Sequence, residues 1–381
     1  MLFSEILDKP IPGFNYPPIK LDYLIKLTDS IGMRKDSGNI PVYSIDDNVL
    51  ALVVFCMHFK LLGNPGHIGL IERYLDFIIY CHQPDGSFVK LVDAEKAVVP
   101  LNNKTEQEDS SAKAIWALGY LISMKGLLPS HMIEKAQIIL EEALKNTDVL
   151  TTGRSLAFAI KGLYYYYSAV EEKSNLEQIK LLAGKLLQMY KEHRTNDWKW
   201  FDGQFVSGSS IISGSLLSTW LLTDDPIYSE VARESFEFHS SRFFSDFNFQ
   251  HMDNSFRGSI TKLTDKLTSY ASINTKTEPM TSVYPVERPT DIAFCVITLS
   301  KFYLVCKDNN YYHRMNAAFN WFLGNNRLNM MLYNSATGSC YDGLTNGTIN
   351  TGQSAGSTLS YTLSRLVVEK YKFKDENHIL F

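Results

Sequence analysis

The feature that most constrains this 381-residue chain is a helical period of apolar residues from its beginning to its end. Apolar side chains recur every three or four residues in about twelve separate segments, whereas the two-residue alternation of half-buried strands is scarce. Short turns such as LLGNPGH, KGLLPSH and TDDP join the segments in pairs. This pattern favours a fold of helical hairpins over a parallel sheet, which requires strands between successive helices.

The period predicts twelve helices, whereas the segments VVPLNN and NMMLYNSATGSCYD are interpreted as loops or short hairpins. The predicted helices are Leu21–Ser30, Ile45–Leu62, Ile68–Cys81, Ser110–Lys125, Ser130–Asn146, Thr152–Ser168, Asn175–His193, Ser209–Leu222, Ile227–Phe243, Asp291–Lys307, Tyr311–Asn325 and Gly352–Lys370. No sequence identity is visible between the hairpins, so any repeat is architectural.

The helices alternate in character, which indicates how they are layered. Asn175–His193 carries Glu, Lys and Gln along one face, whereas Ser209–Leu222 has no charged residue. A helix that is apolar all round is buried, and a helix with a charged face lies outside. We therefore predict an all-α fold, an (α/α)6 toroid of helical hairpins that forms one domain over residues 1–381. The long irregular segment at about 245–290 is interpreted as a loop or flap across one mouth of the toroid.

The composition and the missing motifs exclude several classes of partner and cofactor. A formal net charge of -4 gives no electrostatic case for nucleic acid or an anionic membrane. No apolar run reaches membrane length, the first residues lack the pattern of a signal peptide, and the five cysteines show no CxxC spacing, so a cytoplasmic location is expected. Nucleotide-binding and GxSxG motifs are absent and the nine histidines are scattered, so neither a cofactor nor a metal is expected.

Polar residues gather before every second helix, where the inner helices of a toroid begin. They are Asp46, Asp47 and Asn48; Glu106, Glu108 and Asp109; Arg154; Trp198, Trp200 and Asp202; Glu287, Arg288 and Asp291; and Asp342, Asn346, Asn350 and Gln353. Any one of the acids could simply cap its helix. Arginine opposes the helix dipole and tryptophan does not cap, so their recurrence favours a saccharide cleft, in which carboxylates bind hydroxyls and indoles stack on sugar rings. For each single residue both interpretations stay open.

Three segments resemble the motifs of a known protein group: SIDDNVLAL, QEDSSAKAIWALG, and FLGNN followed by LYNSATGSCYDGL. The group is a bacterial set of toroid proteins in the six-hairpin glycosidase-like superfamily, found as the region trailing glycosyltransferases or encoded beside them. The resemblance spans nearly the whole chain in the same order. It implies an (α/α)6 toroid, a saccharide or glycan ligand and a possible glycosyltransferase partner.

The resemblance also implies which residues form the site. The matching positions are Asp46, Asp47, Asn48, Glu108, Asp109, Arg154, Trp200, Phe201, Asp202, Asp291, Tyr341, Asp342 and Gly343. The chain departs from the group's pattern at Ser207-Gly208-Ser209, where an Asp and an Asn are usual, and at Gly356, where a Glu is usual. Lys113 stands where an Arg is usual, or that Arg is lost. The neutral residues at acidic positions weigh against hydrolysis.

Two functions therefore follow from the sequence. A glycoside hydrolase needs one carboxyl group to protonate the leaving group and a second to activate water. We expect Asp109 or Glu108 to pair with Asp291, with Asp47 in reserve. The expected substrate-binding residues are Asp46, Asn48, Arg154, Trp198, Trp200, Asp202, Arg288, Tyr341, Asp342 and Gln353. The alternative is a non-catalytic glycan-binding or scaffolding partner of a glycosyltransferase system; sugar epimerisation would need paired histidines, which these motifs lack.

Overall fold

The computed structural model describes residues 15–35, 41–99, 104–242, 244–245, 248–249, 286–345 and 347–372. These residues form twelve α-helices and nine short β-strands. The helices, labelled α1 to α12 in chain order, are Asp22–Lys26, Ile45–Leu62, Ile68–Cys81, Lys104–Ile122, Ser130–Leu144, Gly153–Ala169, Lys173–His193, Ile211–Thr223, Pro226–Ser240, Pro289–Cys306, Asn309–Asn320 and Ala355–Glu369. The strands, labelled β1 to β9, are Arg34–Lys35, Val42–Ser44, Leu91–Asp93, Phe244–Ser245, Asn248–Phe249, Tyr333–Asn334, Ser339–Cys340, Gly343–Leu344 and Ile349–Asn350.

Six of the described helices form a closed ring. The helices α2, α4, α6, α8, α10 and α12 each pack against the next in this order, and α12 packs against α2. The helices α3, α5, α7, α9 and α11 each pack against the inner helix that precedes them, and the short α1 packs against α12. This arrangement is an (α/α)6 toroid and confirms the predicted fold class.

Burial accounts for the alternation between apolar and charged helices. The inner helix α8 is buried along most of its length, including its serines and Thr219. The outer helix α7 buries only one stripe, in which Ile179, Leu182, Ala183 and Leu186 follow a helical period. Among the described helices, α10 alone is long and apolar enough to suit a membrane span, and 56% of it is buried in the fold. Its composition is that of an inner helix of the ring.

The short strands lie next to the starts of inner helices. β1, β2 and β3 form an antiparallel sheet, and β2 leads directly into α2. β6 and β7 form the hairpin expected in NMMLYNSATGSCYD. β8 pairs with β9, and Leu344 of β8 also pairs with Glu287 just before α10. These pairings fix the chain segments that enter α2, α10 and α12.

The start of α4 differs from the prediction. The helix begins at Lys104 in the structure, whereas the predicted start was Ser110. Lysine, glutamate and glutamine favour a helix, and acidic side chains are stabilised in its first turns by the helix dipole. The acids Glu106, Glu108 and Asp109 consequently lie inside the first turns of α4 and do not precede it.

Two other predicted segments also need comment. The helix predicted over Leu21–Ser30 is confined to Asp22–Lys26, because the chain turns back and Thr28 pairs with Met33. The irregular segment predicted at about 245–290 lies mostly outside the described residues.

The inner helices α4 and α6 touch through their backbones. A Cβ atom on Gly119 would lie 2.1 Å from the carbonyl oxygen of Gly162, and one on Gly162 would lie 2.4 Å from that of Ile115. Both distances are too short for a real Cβ atom, so only glycine fits at these two crossing positions. The contact sets the spacing of α4 and α6 and therefore the spacing of the polar residues in their first turns.

Gly162→Ala is expected to lower the free energy of unfolding by about 1–3 kcal/mol, because a backbone carbonyl cannot move aside as a side chain can. The matched control is Gly184→Ala in outer helix α7, where a Cβ would meet nothing within 4 Å. This control should raise the free energy of unfolding by about 0.5–1 kcal/mol, the ordinary advantage of alanine over glycine in a helix. Urea denaturation of the two variants checks the prediction, and equal effects would contradict the backbone contact.

Candidate active site

Contacts link the first turns of the inner helices, which places all of these turns at the same end of the ring. In order around the ring, the contacts are Asp46 with Ser110 and Lys113, Asp109 with Arg154, Arg154 with Ser207, Ser207 with Asp291, and Thr290 with Ser360. Gly356 of α12 completes the circuit, because a Cβ atom on it would lie 3.1 Å from Oδ1 of Asp47 in α2. This end of the toroid is called the rim below.

Asp46 is the anionic centre of one side of the rim. Its Oδ1 accepts a hydrogen bond from Nζ of Lys113 at 3.1 Å and one from Oγ of Ser110 at 3.1 Å. Nζ of Lys90 lies 3.8 Å from its Oδ2. Burial acts to raise the pKa of Asp46, but the two lysines and the hydrogen bonds outweigh it and lower this pKa. Asp46 is therefore a carboxylate at neutral pH.

Asp47, the next residue, differs from Asp46 both in its contacts and in the direction of its pKa shift. Among the described residues, none donates a hydrogen bond to its carboxyl group and none forms an ion pair with it. Burial, followed by the negative charge of Asp46, raises the pKa of Asp47 to about 7. Because Gly356 has no side chain, the α12 side of the Asp47 carboxyl stays uncovered. Asp47 can therefore carry a proton at neutral pH and present it to a ligand.

A second acid, Asp109, is held by an arginine. Asp109 is only 4% exposed, and its Oδ2 forms an ion pair with Arg154 of α6. Arg154 also donates from its other terminal nitrogen to the carbonyl oxygen of Ser207 at 2.6 Å. Oδ1 of Asp109 and Nε of Arg154 are buried and have no hydrogen-bond partner among the described residues. The pair thus retains one acceptor and one donor for a ligand or a water molecule.

Asp291, in the first turn of α10, is the third acid of the rim. Its Oδ1 accepts hydrogen bonds from Oγ of Ser207 and from the backbone N–H of Gly208, the latter at 2.7 Å. Burial raises the pKa of Asp291, and these two hydrogen bonds, with Arg288 and Arg154, partly oppose the rise. Oδ2 has no hydrogen bond from the described residues, so it can accept one from a ligand.

Aromatic rings form a floor beneath these polar groups. Trp116 of α4 stacks on Phe158 of α6 with 5.6 Å between ring centroids, and Phe294 of α10 meets Phe158 edge-on at 5.2 Å. All three rings are buried. Nζ of Lys113 lies 5.8 Å from the centroid of Phe158. The rim therefore places polar groups above an aromatic layer, an arrangement suited to a polar ligand with apolar faces.

Glu108 has a structural position. Its carboxylate accepts hydrogen bonds from the backbone N–H groups of Thr151 and Thr152, at 2.6 and 2.9 Å, and from the hydroxyls of Thr151 and Ser155. Burial acts to raise the pKa of Glu108, but these donors outweigh it and lower this pKa. A carboxylate bound by four donors at the start of α6 fixes that helix and is poorly suited to donate a proton.

Asp342 and Gln353 similarly hold the start of α12. Oδ1 of Asp342 accepts from the backbone N–H of Ser354 at 2.9 Å and from the hydroxyls of Ser354 and Ser357 at 2.5 and 2.6 Å. Oε1 of Gln353 accepts from Oγ of Ser339 at 2.5 Å. Both side chains are thus occupied by contacts within the chain.

Asn48 and Trp200 are enclosed and do not line the cleft. Asn48 is fully buried, and its amide bonds to both backbone polar groups of Met33 and to the carbonyl oxygen of Ser44. Trp200 is 1% exposed and stacks on His239 of α9 at 4.8 Å. Neither side chain can reach a sugar without rearrangement of the core, so the expectation that they bind substrate has no support in the geometry.

The remaining predicted residues lie at the surface or in loops. Nε1 of Trp198 donates to the backbone carbonyl of Asp202 at 2.7 Å, and the exposed Asp202 carboxylate binds the next backbone N–H. Arg288 is exposed just before α10, and Tyr341 is half-buried against the core. Within this group, Arg288 is the residue whose charge acts on Asp291.

Several rim residues were not assigned to the site by the sequence. Lys113 is identified only as a departure from the group's arginine, although its position one helical turn after Asp109 puts it on the same face of α4. Ser207 and Gly208 mark the loss of an Asp and an Asn in the sequence comparison, although both residues hold Asp291 in the structure. Lys90 follows a β-turn region and carries no sequence signal for its contact with Asp46. Among the described residues, no group of three or more His, Cys, Asp or Glu side chains is placed to bind a metal ion.

Comparisons with known proteins identify the fold. No protein-family model and no curated protein sequence matches the chain. The toroid defines a protein of the (α/α)6 fold, and several solved structures share this fold.

Three solved structures illustrate this similarity. A D-mannose isomerase superposes with a TM-score of 0.64 and 13% identity over 92% of this chain and 94% of its own. A GH76 α-mannanase of Bacteroides thetaiotaomicron superposes with a TM-score of 0.63 and 13% identity over 93% of this chain and 95% of its own. The third structure is an inactive variant of an α-1,6-mannanase of Salegentibacter, in which two adjacent aspartates are changed to asparagine and α-1,6-mannotriose is bound. It superposes with a TM-score of 0.57 and 12% identity over 91% of this chain and 95% of its own. At these identities the similarity establishes the fold alone.

The pKa of Asp47 predicts how stability varies with pH. Because this pKa lies near 7 in the folded state and near 3.8 otherwise, the folded state binds the proton more tightly, and the stabilisation is lost as pH rises through about 7. Asp47→Asn should therefore have a higher melting temperature than the wild type at about pH 8, and the difference should shrink towards about pH 5. Thermal denaturation of both proteins across this pH range measures the difference in melting temperature.

Asp46→Asn is the matched control, because Asp46 is ionised and paired. Its melting temperature should fall below that of the wild type at the same high pH, since Lys113 and Lys90 lose their common counter-ion. Parallel profiles for the wild type and Asp47→Asn would contradict a neutral-range pKa for Asp47.

Proposed function

We propose that this protein is a glycan-processing enzyme of the glycoside hydrolase type, with Asp47 as its general acid. The observation that carries the proposal is the state of Asp47, a rim carboxyl group that has no hydrogen-bond or ion-pair partner among the described residues and a pKa of about 7. A carboxyl group that holds its proton at neutral pH beside an ionised one, Asp46, is the usual means of protonating a leaving group. Asp47, the reserve candidate of the sequence, thereby becomes the first candidate.

Asp291 is the proposed general base. Its Oδ1 is anchored by Ser207 and Gly208, and its Oδ2 is available to accept a proton from water. In the proposed step, Asp47 gives its proton to the glycosidic oxygen, the bond from that oxygen to the anomeric carbon breaks, and the sugar leaves as an alcohol. A water molecule forms the new bond to the anomeric carbon and gives its proton to Asp291.

The remaining rim groups would orient the sugar. The Asp46 and Lys113 pair offers an acceptor and a donor on one side, and the Asp109 and Arg154 pair offers the buried unpartnered atoms Oδ1 and Nε on the other. Hydroxyl groups of a saccharide donate and accept hydrogen bonds, so they match such mixed pairs. The Salegentibacter mannanase, inactive after replacement of two adjacent aspartates, supports a role for adjacent acids, and this chain has them at Asp46–Asp47 and Glu108–Asp109.

A non-catalytic glycan-binding protein is the second candidate. It is favoured by the number of rim acids already occupied, because Glu108 and Asp342 cap helices and Asp109 is bound by Arg154. In that case the cleft would bind a glycan beside a glycosyltransferase, the partner that the sequence resemblance implies, and Asp47 would act as a hydrogen-bond donor only.

A glycan-library screen for new reducing ends tests the proposal. The wild type should release reducing ends from at least one glycan, and Asp47→Asn should lower kcat by about a hundredfold or more, the usual contribution of a general acid. Asp291→Asn should have a similar effect on kcat. The control is Glu230→Gln, which removes an exposed carboxylate of outer helix α9 and should leave the rate unchanged.

The outcomes separate three possibilities. Release that persists in both rim variants would refute the residue assignment. Binding without release of reducing ends by the wild type would support the glycan-binding candidate. Conversion of a free sugar to an isomer, without new reducing ends, would indicate isomerase chemistry like that named for the D-mannose isomerase neighbour.

A further inference from the structure

A second cavity lies deeper in the toroid, on the other side of the aromatic floor from the rim. It is enclosed by α2, α4, α6, α10 and α12, and Trp116 forms one wall. Its volume is about 30 Å³. Trp116 and Lys161, which both line it, each follow a residue of the Asp109 and Arg154 pair by seven positions, or about 10 Å along a helix axis. The cavity is therefore distinct from the proposed glycan site.

Three lysines converge on this cavity. Lys161 of α6 and Lys370, which follows α12, line it directly, and the charge of Lys301 of α10 acts on Lys161 and Lys370. The 30 Å³ cavity has no acidic lining residue among the described residues. Neither Lys161 nor Lys301 forms an ion pair with a carboxylate of the described residues.

Aromatic rings are the described neighbours of these two ammonium groups. Nζ of Lys161 is 5.4 Å from the ring centroid of Trp116 and 5.8 Å from that of Tyr165, and Nζ of Lys301 is 3.9 Å from that of Tyr164. Such contacts stabilise a cation by only about 0.5–2 kcal/mol, which is less than the cost of removing an ammonium group from water. The charges therefore lack adequate compensation within the described chain.

The pKa values of the three lysines also reflect the cost of burying their charges. Burial lowers the pKa of Lys161 to about 8. Burial, followed by Lys161 and Lys370, lowers the pKa of Lys301 well below its ordinary value. Burial and neighbouring lysines lower the pKa of Lys370 to about 7. An anion placed among these groups would reverse these shifts and bring the protons back.

The cavity also has a neutral hydrogen-bond donor. Trp116 is 2% exposed, and its Nε1–H has no hydrogen-bond partner among the described residues. Buried donors without partners are rare in folded proteins and commonly indicate a bound water or ligand. Ser300, whose Oγ lies 2.6 Å from the hydroxyl of Tyr371, adds a hydroxyl to the lining. Lys161, Lys370 and the Trp116 indole thus offer donors within a lining that is otherwise largely apolar, and an acceptor-only ligand can use these donors.

We propose that this cavity, lined by Lys161, Lys370, Trp116 and Ser300 and facing Lys301, binds a small oxyanion of the phosphate or carboxylate class. The volume corresponds to about two water molecules, at roughly 10–15 Å³ each, so a compact oxyanion fits and a pyranose ring does not. The ligand would accept charge-assisted hydrogen bonds from the ammonium groups and one from the indole.

Isothermal titration calorimetry and thermal denaturation with inorganic phosphate test the proposal, at constant ionic strength maintained with chloride. The variants are Lys161→Met and Lys301→Met, and the control is Lys191→Met, which removes an exposed lysine of outer helix α7. Phosphate should raise the melting temperature of the wild type and the control. In Lys161→Met and Lys301→Met the affinity should fall by about tenfold to a hundredfold, the loss expected for one charge-assisted hydrogen bond.

The variants themselves should fold, because methionine fills a similar volume and removes an incompletely compensated buried charge. Without phosphate, their melting temperatures should equal or exceed that of the wild type. A parallel titration with acetate separates the two ligand classes, since a site for carboxylates binds acetate and a site for phosphoryl groups prefers phosphate. No binding of either anion by the wild type, or equal affinity in all four proteins, would overturn the proposal.

This test is independent of the glycan assay. Asp47→Asn should bind phosphate as the wild type does, because Asp47 lies at the rim. Failure of glycan processing would leave the anion measurement unchanged, and failure of anion binding would leave the glycan assay unchanged.

Discussion

The six inner helices of the toroid all begin at one end, and the rest of the structure depends on that constraint. Each helix start carries backbone N–H groups without intrahelical partners and the positive end of a helix dipole. Six such ends around one opening require acceptors and attract carboxylates. The acids of the rim therefore have a structural reason to be there, and the site develops from the acids that the helix ends do not occupy.

The rim acids are of two kinds, which differ in whether their carboxyl oxygens already accept hydrogen bonds from the fold. Glu108 and Asp342 accept from backbone N–H groups and hydroxyls at the starts of α6 and α12, so their oxygens are committed to the fold. Within the described part of the chain, Asp47 has no such donor, and Asp291 uses only one of its oxygens. A group with a free oxygen and a raised pKa can take part in proton transfer, whereas a fully hydrogen-bonded carboxylate cannot without breaking a helix cap.

The sequence predicted the toroid well because apolar periodicity is a local signal. Ile45–Leu62 and Ile68–Cys81 were predicted to the residue, and inner and outer helices were separated by charge alone. The site was harder, because a motif marks where a residue lies along the chain and not where its side chain points. Trp200 and Asn48 stand in rim motifs but pack into the core, whereas Trp116 stands within an apolar helix pattern and forms the cleft floor. Burial of this kind depends on tertiary contacts, which a single sequence does not contain.

The neutral positions that weighed against hydrolysis have a different meaning in the structure. Gly356 stands where the group that the sequence resembles usually has Glu, and a Cβ atom added to Gly356 would lie 3.1 Å from Oδ1 of Asp47. A glutamate there would bring a second negative charge near Asp47 and cover one side of its carboxyl group. With glycine, Asp46 remains the principal charge that raises the pKa of Asp47, and that side stays open to a ligand.

Gly208 has a comparable effect on the second acid. It adopts a positive φ of 73°, a Cβ on it would lie 3.0 Å from the ring of Phe294, and its backbone N–H holds Asp291. A side chain at this position would press on the cleft floor and displace the donor that orients the acid. The loss of two acidic side chains therefore coincides with better access to Asp47 and a fixed Asp291, so it is not by itself an argument against proton transfer at the rim.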